Sequence, residues 1–530
     1  MLQIKLMNII ITLAGHSRRF KETGYKVPKF LIEINGKKML EHVIEMFDAN
    51  DNYYFILNED QNIAFPEIQD WLKSLVKNCN IIVIPPHEIG PVYSILNISN
   101  ISKSDPVLIS YCDFIVDWDY GKFKNDILNY SAAIPAFKGF HPASFGNTKY
   151  AYLKVNDDME MVELKEKNSF TNDRVNEFAS AGIYYFSSWE LFKTTADELM
   201  INGFGNLNEA YVSLLNNILV KNGEKVKVTE VNKFICWGTP EDLSSYQFWS
   251  KYFLTNSNLE QNQSSPEIYN SQTNIIPMAG RGSRFKKEHY NVIKPLIQIG
   301  KEPMFLKSSN SMPSVKKWIF LFRSDEINKH NIVDRVINEN FELPKIISVY
   351  EETSGQAATC LLAKSEIEKN NPILIASCDY ITIYDQNKWE SLINDTSIDI
   401  AIWTYRMGTM LTKNPNAFAY CKTEDNSNII TQIVEKSTIS NEPQNDPLLV
   451  GTFWFRNARD FIFSAENAIE NNININGEHY IGNSLNTLIK NGKKIVIFDI
   501  EQWISLGDPF ELEVYYYWEE HFYKKYKTNN

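Results

Sequence analysis

One segment of this chain occurs twice: NIIITLAGHSRRF at 8–20 returns as TNIIPMAGRGSRF at 273–285. Phe20 and Phe285 are 265 positions apart, and the same spacing separates Lys29 from Lys294, Met39 from Met304 and Gly90 from Gly355. The spacing is 266 at Asp113 and Asp379, and 269 at Glu166 and Glu435, Gly182 and Gly451, Glu209 and Glu478, and Pro240 and Pro509. Chance similarity does not hold register over so long a stretch, so the chain carries one fold twice. The 530 residues are then expected as two domains, 1–254 and 274–530, joined by a linker at 255–273 whose Asn-, Gln- and Ser-rich sequence has neither hydrophobic period.

Each copy opens with a short apolar strand and a glycine-bearing turn. Apolar runs such as YYFIL, NIIVIP and PVLIS then alternate with helix-length segments such as EIQDWLKSLVKN. That alternation predicts an α/β fold with a mostly parallel, doubly wound sheet. Ligands of such sheets sit beyond the carboxyl ends of the strands, which is where the repeated motifs fall: the first turn, the segments after PVLIS and PILIA, and the glycine-led helix starts at Gly90 and Gly355.

Composition excludes several classes. With 44% hydrophobic and 22% charged residues the chain is an ordinary globular one, not a disordered, collagenous or coiled-coil protein. A net charge of −12 opposes nucleic acid and anionic membranes at long range, so a polyanionic ligand needs a local basic patch. The six cysteines form no CxxC pair or His/Cys cluster, which argues for reduced thiols in a cytoplasmic protein, without a zinc module or a disulfide framework. MLQIKLMNIIITLAG runs straight into a basic turn and reads as a first buried strand, not a signal peptide, and no run of about 20 apolar residues predicts a membrane span.

The first turn joins small residues (Leu13-Ala14-Gly15, and Met278-Ala279-Gly280) to a basic cluster of Arg18, Arg19, Lys26 and Lys29, matched by Arg281, Arg284, Lys286, Lys287 and Lys294. Small residues let backbone amides approach phosphate oxygens, and the cations neutralise charge on a displaced pyrophosphate. One such turn is as well explained as a plain strand-to-helix connection; its recurrence at the same spacing favours phosphate. Asp113 and Asp379 each end a buried strand, where a carboxylate serves either as a turn cap or as a ligand for magnesium held against phosphate. Asp119 and Asp385 also coincide and are given a minor or structural role. Cys112 and Cys378 read as buried small residues, His16 as a solvated loop residue, and the aromatic C-terminal segment as a helix packed on its own domain, with an oligomer contact left open.

The motif LAG-x-x-x-R-F, followed by PKFLIEINGKKML or IKPLIQIGKEPMF, resembles the nucleotidyltransferases that make nucleotide-activated sugars and related phosphate compounds. The resemblance covers nearly the whole chain, twice, and includes the strand-end Asp, a later Glu-Lys pair and a closing WGTPED. It implies two tandem Rossmann-like domains related to the A-type glycosyltransferases, acting with magnesium on a nucleoside triphosphate and a phosphorylated small molecule in surface-glycan synthesis. By that resemblance Arg19, Lys29, Arg284 and Lys294 are catalytic. Leu13, Ala14, Gly15 and Gly90 with Met278, Ala279, Gly280, Gly355 and Gln356 bind nucleotide. Glu166, Lys167, Gly182, Glu435, Lys436 and Gly451 bind the sugar phosphate, and Asp113, Asp379 and Asn483 hold the metal.

The copies differ. Copy two keeps the family's G-x-G-[ST]-R as GRGSR, whereas copy one reads GHSRR, which predicts a different approach to phosphate. Where copy two has Asn483, copy one has Leu214, which cannot coordinate a metal. Two other readings stay open: a metal-dependent glycosyltransferase using Asp117-Trp118-Asp119, and a copy one that binds nucleotide without turning it over.

Overall fold

The computed structural model describes residues 6–146, 149–255, 267–327, 331–407 and 415–527, so most of the expected linker lies outside the described residues. The chain divides into two units, Met1–Ser250 and Lys251–Asn530. In unit one the relevant strands are β1 (Asn8–Thr12), β2 (Asn52–Asn58), β3 (Asn78–Ile84), β4 (Val107–Ser110), β5 (Phe114–Asp117), β6 (Ala132–Phe137), β7 (Ala151–Val155), β8 (Met161–Glu166), β9 (Phe178–Ser180), β10 (Ile183–Phe186), β11 (Val226–Glu230) and β12 (Lys233–Cys236). The helices that bear on the site are α1 (Arg18–Glu22), α2 (Pro91–Leu96), α3 (Ser213–Lys221) and α4 (Pro240–Ser250). Unit two supplies β13 (Thr273–Met278), β14 (Lys317–Arg323), β15 (Leu343–Val349), β16 (Ile373–Ile375), β17 (Tyr380–Ile383), β18 (Ile400–Tyr405), β19 (Ala419–Thr423), β20 (Ile430–Glu435), β21 (Leu448–Phe455), β22 (Ile495–Asp499) and β23 (Gln502–Ser505). Its helices are α5 (Ser283–Lys287), α6 (Gln356–Leu361), α7 (Ile481–Lys490) and α8 (Pro509–Lys527).

The sheet of unit one runs β3–β2–β1–β4–β10–β6–β9–β7–β8, with β11 beside β6. That of unit two runs β15–β14–β13–β16–β21–β18–β22, with β19 attached to β21 and β20 to β19. The order is the same from the first edge through the centre, and in both units the first four strands are parallel. β10 and β21 then pair antiparallel with β4 and β16, which makes each α/β sheet mixed. A two-stranded ribbon, β5 with β12 and β17 with β23, flanks each sheet.

The parallel half explains the uninterrupted apolar runs. A parallel strand is covered on both faces, so Ile9, Ile10 and Ile11 are all fully buried, as are Ile275 and Ile276. These β-branched residues suit the pleated backbone, and each buried side chain contributes roughly 1.5–3 kcal/mol of apolar transfer. Ile10 joins Ile56, Ile84, Val107 and Ile109 in the core of unit one, and Ile275 joins Ile319, Leu321, Ile373 and Ile375 in that of unit two. The aromatic C-terminal segment is α8, whose Leu512, Tyr515, Trp518 and Phe522 are buried. Among the described residues no helix is long and apolar enough to cross a membrane. Because Ile10 lies at the centre of the sheet, Ile10→Ala is expected to lower unfolding stability by about 2–5 kcal/mol in urea titrations; a loss under 1 kcal/mol would contradict this placement.

Candidate active site

Each unit gathers its repeated motifs at the carboxyl ends of the first and fourth strands. The turn after β1 puts Ser17 at the head of α1 with φ 54° and ψ 34°; Gly282, at the head of α5, has φ 60° and ψ 34°. At this position the GHSRR turn has the same left-handed backbone as GRGSR, although its sequence differs. A side chain in this conformation costs roughly 1–2 kcal/mol, offset here because Ser17 Oγ accepts the Lys29 backbone N–H at 3.1 Å. In copy one Asn58 Nδ2 donates to the Ala14 carbonyl at 2.8 Å, and Gln61 Nε2 donates to the carbonyls of Leu13 and Gly15 at 2.9 and 3.0 Å. With its carbonyls held from behind, the turn is free to present amides. In copy two the position of Asn58 is Arg323, whose guanidinium pairs with Asp325 at 3.0 and 2.6 Å. Arg323, Gly280, Arg281, Lys286 and Lys294 line an open pocket there. Arg323 was not singled out from the sequence, because it belongs to a β-strand and to no motif.

Lysine and aspartate meet directly in both copies. Lys29 Nζ donates to Asp113 Oδ2 at 2.6 Å, and Lys294 Nζ to Asp379 Oδ2 at 2.5 Å and to the Gly507 carbonyl at 3.0 Å. Burial works against each ammonium, but the facing carboxylate outweighs it and holds both lysines above their ordinary range. Burial likewise opposes the Asp379 charge, and Lys294 overcomes it, so that carboxyl lies below its usual range. The neighbouring thiols of Cys112 and Cys378 are pushed by burial up to about 12, which leaves them protonated and inert.

Glycine keeps space beside each carboxylate. A β-carbon on Gly238 would lie 3.4 Å from Asp113 Oδ2, and one on Gly507 would lie 3.5 Å from Asp379 Oδ2. Magnesium is bound through one or two carboxylates with water and phosphate oxygens completing its shell, and a strand-end Asp facing a glycine and a basic turn fits that requirement. Among the described residues no group of three or more His, Cys, Asp or Glu is placed to hold a metal. Asn483 lies in the first turn of α7, where its backbone N–H bonds Glu435 and its Oδ1 accepts from Asn486 Nδ2 at 3.4 Å. Leu214 packs against the core.

The Glu-Lys pairs form a second cluster. Lys167 and Lys436, with φ 59° and 55°, are both left-handed, an uncommon state for a residue with a β-carbon. Lys167 Nζ bonds the Tyr211 hydroxyl and lies 4.4 Å from that ring's centroid; Lys436 Nζ donates to the Ala417 carbonyl at 2.6 Å and lies 5.6 Å from the Tyr480 ring. Glu166 accepts from Ser213 Oγ at 2.5 Å. Burial raises the Glu166 carboxyl against that bond, and raises Glu435, which has no such hydroxyl partner, to about 7. The Arg19 charge acts on Tyr211, which links this cluster to the first turn. Among the described residues neither Arg19 nor Arg284 is in an ion pair, whereas Arg18 pairs with Glu88 and Arg281 with Glu352. His16 is not free in solvent: its Nε2 bonds the His87 carbonyl at 3.1 Å.

Gly90 and Gly355 have φ 112° and 129°, and a β-carbon on either would come 2.6 Å from the backbone nitrogen of Ala210 or His479. The Ala210 N–H donates to Ile89, and the His479 N–H to Ser354, both at 2.7 Å. These glycines thus clamp the Glu-x-Tyr loops that carry Tyr211 and Tyr480; Gln356 follows, half-buried, as the first residue of α6. Gly182 and Gly451, with φ 82° and 91°, pass Phe114 and Tyr380 closely. Asp119 and Asp385 cap helices by accepting the N–H groups of Lys122 and Lys388 at 2.8 and 3.1 Å, the structural role read for them. With Asp119 so engaged, the Asp117-Trp118-Asp119 reading loses one of its two carboxylates.

Residues 9–152 match the MobA-like NTP transferase domain, the class of activity that the first-turn motif resembles. The chain is 28% identical over 260 residues to the bifunctional protein GlmU of Methanocaldococcus jannaschii, covering 48% of this chain and 56% of that protein. It is 22% identical over 224 residues to GlmU of Desulfotalea psychrophila, covering 42% and 61%. The chain thus spans little more than half the length of these relatives. Among solved structures, a nucleoside-diphosphate-sugar pyrophosphorylase from Vibrio cholerae RC9 is similar at 22% identity, with a TM-score of 0.39 over 46% of this chain and 98% of that one. The inositol-1-phosphate CTP transferase of T. maritima gives 13%, 0.37, 48% and 97%.

Two outcomes follow from this geometry. Gly355→Ala is expected to lower the melting temperature by several degrees, because the added carbon meets backbone and the φ is left-handed; an unchanged melt would refute the clamp. Glu435 binds its proton more tightly folded than unfolded, so its contribution to stability falls as pH rises from 4.5 to about 7, by on the order of 3 kcal/mol. Glu435→Gln should flatten the pH dependence of unfolding in that window, and an identical slope in wild type and variant would contradict it.

Proposed function

We propose that this chain is a nucleotidyltransferase with two sites, which joins a nucleoside monophosphate from a triphosphate to a sugar 1-phosphate or similar phosphorylated metabolite and releases pyrophosphate. The observation that carries the reading is the pairing of Lys29 with Asp113 and of Lys294 with Asp379 beside a small-residue turn, built twice at equivalent positions. The match of residues 9–152 to an NTP transferase domain supports it. A cytoplasmic enzyme serving surface-glycan synthesis is the finer form of the proposal.

In this reading the turn amides and Arg19 or Arg284 take the triphosphate. Asp113 and Asp379 would hold magnesium, which when bound screens the α- and β-phosphates. Lys29 and Lys294 leave their carboxylates and follow the negative charge onto the departing pyrophosphate. The acceptor's phosphate monoester is already anionic at neutral pH: one of its oxygens forms the new bond to the α-phosphorus, the α–β bridging bond breaks, and pyrophosphate leaves. Glu166 with Lys167, and Glu435 with Lys436, would position that acceptor. Catalysis then consists of alignment and charge neutralisation, without a covalent enzyme intermediate.

The test is pyrophosphate release with magnesium, screening ATP, GTP, CTP, UTP and dTTP against phosphorylated acceptors. Lys29→Ala and Lys294→Ala are each expected to remove one copy's activity by about 100-fold or more, while the double variant is silent. Release that ignores both lysines would refute the proposal, and an activity lost only with Lys294→Ala would assign copy one to binding alone.

A further inference from the structure

The two copies differ where their buried glutamates lie near the strand end and helix start. In copy one Tyr111 follows β4; its ring edge lies 3.2 Å from the β-carbon position of Gly182, and the Val212 backbone N–H bonds its hydroxyl. The Glu166 charge acts on Tyr111, Tyr184 and Tyr211, and Ser213 caps that carboxylate at 2.5 Å. Copy one therefore sets the half-buried Tyr111 ring near Glu166 and commits one carboxylate oxygen to Ser213.

Copy two empties the same positions. Tyr111 corresponds to Ser377, whose hydroxyl turns to Asp379 Oδ1 at 2.5 Å. Ser213 corresponds to Gly482, where any β-carbon would come 2.5 Å from Glu435 Oε1, so the glutamate rests against bare backbone. A β-carbon on Gly451 would have its nearest neighbour at 3.6 Å, against 2.9 Å for Gly182. Losing a tyrosine ring beside one carboxylate opens room for a larger ligand, whereas the place of the Ser213 hydroxymethyl is taken in copy two by Glu435 itself and by Leu449.

Resting on the nucleotidyl-transfer reading above, we infer that the two copies accept different phosphorylated substrates, with Tyr111 restricting copy one to a compact phospho-alcohol while Ser377 admits a hexose 1-phosphate to copy two. The chain then makes two activated products from one fold, and the residues at 111/377 set which. These side chains are specificity determinants; the phosphate chemistry stays with the lysines and arginines common to both copies.

The experiment uses the full chain with Lys294→Ala to isolate copy one and Lys29→Ala to isolate copy two. Pyrophosphate release is followed with phosphoethanolamine, glycerol 3-phosphate, pentose 1-phosphate, hexose 1-phosphates and N-acetylhexosamine 1-phosphate. Copy one is expected to use the small acceptors and copy two the hexose phosphates. Adding Tyr111→Ser to the copy-one enzyme should raise kcat/KM for a hexose 1-phosphate at least tenfold, mainly through KM. Adding Ser377→Tyr to the copy-two enzyme should lower it by a similar factor, and this second variant decides the matter if Tyr111→Ser does not fold, as judged by circular dichroism. Identical acceptor preferences in the isolated copies, a silent copy one, or folded exchange variants with unchanged preference would each overturn the inference. Silence of the wild type with every acceptor would instead overturn the nucleotidyl-transfer reading on which it rests.

Discussion

An ammonium on a carboxylate, about three-quarters buried and placed where a sheet's carboxyl edge meets a basic turn, is the contact on which each half of this protein depends. The pair satisfies two charges that the surrounding strands have largely removed from water, and removal of one partner from such a pair costs about 3–5 kcal/mol because the other is left uncompensated. In the proposed reaction a metal triphosphate would offer each member of the pair a second partner, cation to carboxylate and anion to ammonium. Gly238 and Gly507 leave the space beside the carboxylate in which that exchange can happen.

The copies show how one backbone tolerates different chemistry. Ser17 and Gly282 reach the same left-handed turn by different means, glycine without strain and serine with its strain offset by a bond to Lys29. Behind the turn, copy one uses neutral amides, Asn58 and Gln61, to hold the carbonyls, while copy two sets the Arg323 guanidinium at the pocket. Around the buried glutamates the exchange of Tyr111 for Ser377 and of Ser213 for Gly482 changes shape and acceptor capacity but not the fold. In the proposed reaction the geometry shared by the copies would handle phosphate, and the geometry that differs would handle what the phosphate is attached to.

Much of the architecture was legible in the sequence because duplication supplied a ruler. Constant spacing pairs Lys29 with Lys294 and Asp113 with Asp379, and apolar runs covered on both faces announce the parallel strands. The antiparallel half was not legible: β7 to β9 are short and amphipathic, and their partners are set by tertiary pairing. The Lys–Asp contact joins residues 84 apart, which no periodicity reveals. The close contact of Gly90 and Gly355 with Ala210 and His479 was not legible either, because it depends on a loop more than a hundred residues away. The left-handed Lys167 and Lys436 carry no compositional signal at all, since lysine is not a residue that marks such a backbone.

The account stands on the claim that the lysine–aspartate pair opens to receive a metal nucleotide. Diffraction from crystals soaked with manganese and each nucleoside triphosphate, recorded at the manganese absorption edge, addresses it directly. The prediction is an anomalous peak on Asp113 or Asp379, with the matching lysine moved from the carboxylate onto the phosphates. A nucleotide bound elsewhere, or one bound at the turn with Lys29–Asp113 and Lys294–Asp379 both still joined, would contradict it.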